Sequence, residues 1–142
     1  MSTNRNHRIP DTLWRAKTLA KRVERATEAY QAIYWRLTGT TAPIASERVK
    51  TTAMGNRNDA LLVAGERRDR LKKIYDEAVQ AAYLTINVIE DERYQDILIN
   101  RYITGMSARE SAHAMHYSCG WERELHQLAI EAYKEAEKGA RL

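Results

Sequence analysis

Apolar positions along the chain recur every three or four residues over long stretches and nowhere alternate over a useful length, so the pattern predicts helices and no sheet. Leu13, Ala16, Ala20, Val23, Ala26, Tyr30, Ile33 and Leu37 follow one face behind Pro10 and Asp11, two residues suited to a helix start. They predict a first long helix over 12–37. A second stripe, Leu61, Ala64, Leu71, Ile74/Tyr75, Ala78, Ala82, Thr85 and Ile89, is broken only by Arg68 and predicts a helix over 59–89. Between them TTAPIASERVKTTAMGNRND shows no sustained period, so 39–58 is expected to be a long connection: functional, partly disordered, or ordered by a partner. Two helices that each carry one apolar stripe are expected to fold back as a long antiparallel hairpin.

From Asp91 onward the punctuation becomes dense. Asp91 suits an N-cap, Tyr94, Ile97, Leu98 and Arg101/Tyr102 keep helical spacing, and Gly105 is the preferred residue for a left-handed C-terminal cap, which predicts a helix over 92–104. Ser107 and Glu110 form a capping-box pattern in front of a short helix over 107–116, whose slim apolar face is Ala108, Ala112 and Met115. After Tyr117, Ser118 is placed to cap a helix over 119–136 with Trp121, Leu125, Leu128, Ala129, Ala132 and Ala136 inward. A short helix, a tight turn and a longer helix make a helix-turn-helix unit, whose second element can enter a DNA major groove. Trp121 is expected to close a small tri-helical core, with Gly120, Arg123, Glu124 and Gln127 pointing outward.

The segment DERYQDILINRYITGMSARESAHAMHYSCGWERELHQLAIEAY resembles region 4 of bacterial sigma factors, and more closely a group of small phage and prophage proteins. In that group a helical N-terminal part precedes an R-Y-I-x-G-x-S-x-x-E-x-A element, then Y-S and W-x-x-x-L-H. Here these are Arg101 to Ala112, Tyr117-Ser118 and Trp121 to His126. The group includes ArpU-like regulators of late phage transcription alongside relatives of unassigned role. The resemblance implies double-stranded DNA as partner, with Arg109, Arg123, Glu124, His126 and Gln127 as candidate contacts. It covers the last fifty or so residues, and the rest only by layout.

At 142 residues with 44% apolar content, the chain has room for one modest core or a small domain with a helical arm. The expected division is 1–90 as arm and 91–142 as head. Neither a run of roughly eighteen apolar residues nor a secretory leader is present, and Cys119 is the single cysteine, so a cytoplasmic protein without membrane insertion is expected. Charge qualifies the DNA reading. Residues 1–58 hold 11 Lys/Arg against 4 Asp/Glu, whereas 91–142 hold 7 against 9, a net −2, although phosphate neutralisation supplies most non-specific affinity. Arg15, Lys17, Lys21, Arg22 and Arg25 therefore form a secondary basic face suited to tracking a phosphate backbone. The acidic head also fits a protein-interaction module that binds RNA polymerase or a sigma factor, and the long helices fit a structural oligomeric phage protein. A homodimer is expected on any of these readings, through apolar stripe that one hairpin leaves uncovered.

Enzyme chemistry is not expected. His113, His116, Cys119 and His126 are possible zinc ligands, yet their spacing matches no zinc-finger pattern and a turn separates them, so neither metal nor other cofactor is assigned. Cys119 beside a histidine lacks positioned oxyanion donors and a pocket.

Overall fold

The computed structural model describes residues 8–39 and 52–141, and every element in that range is helical. Helix α1 spans Asp11–Thr38, α2 Thr52–Ile86, α3 Glu92–Leu98, α4 Ala108–Ala114 and α5 Cys119–Arg141. A π-helical turn, Ile99–Ile103, extends α3. The second helix starts at Thr52, within what periodicity assigned to the connection. Ala53 and Met54 are good helix formers, and elongation from a formed helix costs far less than nucleation, so the helix runs ahead of its apolar stripe. The remainder of that expected connection, 40–51, lies outside the described residues.

The chain divides into two compact units, one from the described parts of 1–18 and 76–142, the other from those of 19–75. In the second, Leu19, Ala26 and Leu71 are buried. The Arg68 that breaks the stripe of α2 lays its guanidinium over the Tyr30 ring, 4.3 Å from the centroid, so the break is itself a packing contact. Gly65 belongs to the same contact, since a Cβ there would come within 3.2 Å of the Tyr30 ring.

The first unit has the larger core. Leu13 and Ala16 from the start of α1, Ala82, Ile86 and Ile89 from the end of α2, Leu98 and Tyr102, and Ala129, Ile130 and Tyr133 of α5 form one buried cluster. Each fully buried Leu or Ile contributes about 1.5–3 kcal/mol, more than the roughly 1 kcal/mol of a helix cap. Thr12 adds a polar tie, its hydroxyl 2.6 Å from the Tyr133 hydroxyl and donating to Glu137 at 2.7 Å. Burial pushes the Tyr133 phenol above its usual range.

Local punctuation falls where the sequence places it. The Asp91 carboxylate accepts the Arg93 backbone N–H at 2.9 Å, and the Arg93 side chain bonded to it holds that carboxyl below its ordinary range. Gly105 takes φ 84 after the π turn, where any side chain would be strained. Ser107 and Glu110 complete a capping box, and the Ser118 hydroxyl accepts the Trp121 N–H at 3.1 Å. The end of α4 is less expected. His116 adopts φ 61, while its own N–H bonds to His113 O and the Tyr117 N–H to Ala112 O, a Schellman ending built on a histidine.

Three packing expectations are corrected. Trp121 is 41% exposed and Leu128 49% exposed, whereas Glu122, between Trp121 and Leu125 on α5, is fully buried. Ala108 is exposed, and Ser111 joins Ala112 as the buried side of α4. The inward direction of α5 is set by Glu122, Leu125, Ala129, Ile130 and Tyr133, a stripe at helical spacing that leaves Trp121 and Leu128 outside it.

Candidate nucleic-acid interface

The π turn makes three consecutive side chains into ties. In a regular α-helix successive residues are splayed about 100° apart, yet Asn100, Arg101 and Tyr102 all reach α4 or α5. Asn100 Nδ2 donates to Ser111 Oγ at 3.3 Å. Arg101 Nη1 donates to both carboxylate oxygens of Glu122, at 2.9 and 3.0 Å. Tyr102 Oη and His126 Nε2 share a hydrogen bond of 2.7 Å, with their rings stacked 5.7 Å apart at 24°.

These ties fix how α5 is presented. The Glu122 side chain is 0% exposed and that of Arg101 18%, so the pair is shielded from water and its charges depend on one another. Burial, then the positive charges of Arg101 and Lys17, lowers the His126 imidazole from 6.5 to about 4. Burial raises the Tyr102 phenol to about 12. Both groups are neutral at pH 7 and serve as a hydrogen-bonded wall of the core.

Among the expected contact residues, Arg109, Arg123, Glu124 and Gln127 are exposed, as is Gly120. His126 is not available, because its ring is turned to Tyr102; as a contact it is withdrawn. Arg109 stands on α4 in an open depression that Thr104, Gly105 and His113 also line. On α1, Arg15, Lys21, Arg22 and Arg25 are exposed, while Lys17 is half-buried, its ammonium 5.8 Å from the Trp14 ring centroid and 5.7 Å from that of Tyr102. His113, His116 and Cys119 are exposed, and among the described residues no group of three or more His, Cys, Asp or Glu side chains is arranged to hold a metal ion.

The net charge of −2 counted Glu122 with the other acids of 91–142, and sequence reasoning passed over Arg101, Ser111 and Tyr102 as site-forming residues. One signal was available: the stripe of Leu125, Ala129, Ile130 and Tyr133 is centred on the line of the helix that runs back through Glu122, with Trp121 about 100° to one side. The other edge of α5 carries Trp121, edge-on to Tyr117 with centroids 6.5 Å apart, and Leu128 between Glu124 and Glu131.

Arg101→Ala leaves the Glu122 carboxylate buried without a partner and is expected to destabilise the protein by about 3–5 kcal/mol in urea unfolding. The double variant Arg101→Met/Glu122→Leu should recover most of that loss; equal losses in the single and double variants would show that the pair is not coupled. His126 gives a pH signature. Its folded pKa lies below the unfolded value of 6.5, so its contribution is complete above pH 6.5 and is lost as pH falls towards 4. Thermal melts of wild type should therefore decline more steeply from pH 6.5 to 4 than those of His126→Gln; parallel declines would contradict a buried neutral imidazole.

Comparisons with protein-family models, with curated proteins and with solved structures return no match to this chain.

Proposed function

We propose that the protein is a phage-derived DNA-binding transcription regulator, in which α4, the turn at 115–118 and the first turns of α5 act as a sigma region 4-like helix-turn-helix. In this reading 91–142 is the tri-helical DNA-binding head, with Leu13, Ala16, Ala82, Ile86 and Ile89 of 1–90 sharing its core, and the rest of 1–90 is the antiparallel, dimer-forming helical hairpin arm. The observation that carries this reading is the division of α5. Glu122, Leu125 and Ala129 are anchored inward, and Arg123, Glu124 and Gln127 are left exposed beside a capped N-terminus, as a helix inserted in a major groove requires. The burial of Glu122 against Arg101 takes one acid away from the exposed start of α5, while the net charge of the head stays at −2.

A second reading has its own support. Trp121 and Leu128, both more than 40% exposed, lie on α5 with Glu124 and Glu131. An apolar edge flanked by acids suits a basic protein surface such as one on RNA polymerase or a sigma factor. For dimerisation the candidate surfaces are Leu62 and Val63 on α2, at 62% and 63% exposure.

A gel-shift or sequencing-based pull-down on phage DNA at two salt concentrations tests the leading reading. Specific binding should weaken steeply with salt, Arg123→Ala should cost about 1–3 kcal/mol if the guanidinium pairs with guanine, and Glu124→Gln should raise non-specific affinity. Binding to RNA polymerase without binding to DNA, lost in Leu128→Ala, would favour the second reading instead. Light scattering at micromolar concentration should return the mass of two chains, falling towards one chain in Leu62→Lys/Val63→Lys; a wild-type mass of one chain removes the dimer.

A further inference from the structure

The turn that joins α2 to α3 is firmly tied and still holds an apolar side chain out to water. The Val88 N–H bonds to Thr85 O at 3.1 Å and the Ile89 N–H to Ile86 O at 3.0 Å, while Gln95 Nε2 donates to Ile89 O at 2.6 Å. Ile89 turns into the core, and its neighbour Val88 is left 60% exposed. Tyr83 and Leu84, in the last turn of α2, are exposed as well. Single exposed apolar residues are ordinary on a protein surface, but one fixed in place at the lip of a groove points to an occupant.

Val88 is one wall of a groove of about 410 Å³ that lies wholly within the unit containing α5. Ile89, Tyr94, Ala132 and Ala136 supply its apolar surface, and each of them belongs to or packs against the buried cluster, so the groove is built on rigid elements. Its remaining lining is Glu90, Asp91 and Glu135, and among the described residues no basic side chain lines it. The nearest bases in sequence are paired with acids: Arg93 with Asp91 at 2.9 Å, Lys134 with Glu131 at 3.6 Å, and Lys138 with Glu135 at 3.9 Å. In the last pair both side chains are more than 70% exposed, so the contact is worth little and the Glu135 carboxylate can exchange it for another cation. An apolar groove rimmed by carboxylates repels the phosphates of a duplex. Being open to solvent, it would also leave a small molecule largely in water. Its complement is a polypeptide that presents an apolar side chain between lysines or arginines.

We propose that the groove of Val88, Tyr94 and Ala132 docks a basic segment of a protein partner, whose apolar side chain enters the groove while flanking lysines or arginines meet Glu90 and Glu135. Ala132 lies nine residues beyond Arg123, about 14 Å along α5, so this surface is separate from the first turns of that helix. The inference therefore stands apart from the DNA-binding reading. Apolar burial in the groove supplies affinity, and the carboxylates supply association rate and the choice of a basic partner over an acidic one.

The test titrates the full chain with two fluorescein-labelled helical peptides of one design, each with leucines one turn apart, flanked by lysines in one peptide and by glutamates in the other. The lysine peptide should bind, more weakly as salt rises, and should shift the backbone amide signals of Val88, Tyr94 and Ala132 in nitrogen-15 spectra; the glutamate peptide should not bind. Val88→Ser should weaken the lysine peptide about tenfold, through lost apolar contact. Glu90→Lys/Glu135→Lys should abolish binding of the lysine peptide and admit the glutamate peptide. Val88, Glu90 and Glu135 are exposed, so these variants should keep the wild-type circular dichroism. Equal binding of the lysine peptide to wild type and to Glu90→Lys/Glu135→Lys overturns the proposal, as does no binding at all, or amide shifts confined to Glu124 and Leu128. A wild-type mass of two chains that falls to one in Val88→Lys assigns the groove to a second copy and overturns the separate partner.

Discussion

The buried pair Arg101–Glu122 sets the phase of α5, and with it the surface that the protein presents. A carboxylate at zero exposure is tolerated because a guanidinium donates to both of its oxygens at 2.9 and 3.0 Å. Arg101 reaches it from the π turn, where the Thr104 N–H bonds to Ile99 O and the Met106 N–H to Asn100 O in place of regular α-helical bonds. Asn100 and Tyr102, on either side, hold Ser111 of α4 and His126 of α5. A replacement of the pair by apolar residues can conserve stability, but a rotation of α5 by one position would bring Trp121 inward and strand Arg101. Orientation is thus what the ion pair secures most directly.

The same constraint alters the electrostatic picture drawn from counting charges. A net of −2 over 91–142 treats every acid as a surface charge. With Glu122 and Arg101 withdrawn together the net is unchanged, but the exposed beginning of α5 has Arg123 set against Glu124 alone. Net charge describes long-range attraction, whereas affinity at a groove depends on the few charges within a Debye length of the phosphates, about 8 Å at physiological salt. Segment sums therefore understate how cationic the Arg123 edge is.

Much of the secondary structure was legible because its determinants are local. Ser107 with Glu110, Ser118 and Gly105 act within one turn of themselves, and all three stop or start helices where the pattern placed them. The long helices were equally plain from periodicity, apart from the start of α2 at Thr52. What was not legible is non-local. Arg101 and Glu122 are 21 residues apart and neither advertises its partner, while a hydropathy stripe assigns Trp121 inward and Glu122 outward by default. The participation of Leu13 and Ala16 in the core of α5 was hidden for the same reason: a stripe shows that a face must be covered and does not name the cover. Of the candidate site, Arg123, Glu124 and Gln127 stand exposed as helix geometry placed them, and the candidate contact His126 is turned inward, because its hydrogen-bond partner lies on another element.

The orientation of α5 also bears on whether the two functional readings compete. Arg123 stands beside the His126 side of the helix, whereas Trp121 and Leu128 share the opposite edge, with Gln127, Glu131 and Glu124 in turn between them and Glu124 next to Leu128. A duplex approached along the Arg123 edge leaves the Trp121–Leu128 edge turned away from it. Phosphates would be repelled from that edge by Glu124 and Glu131, and a basic protein surface would be attracted to it. On the proposed reading, then, one helix anchored by a single buried pair separates a cationic edge from an apolar, acidic one. The contact with DNA and a contact with a protein partner need not exclude each other.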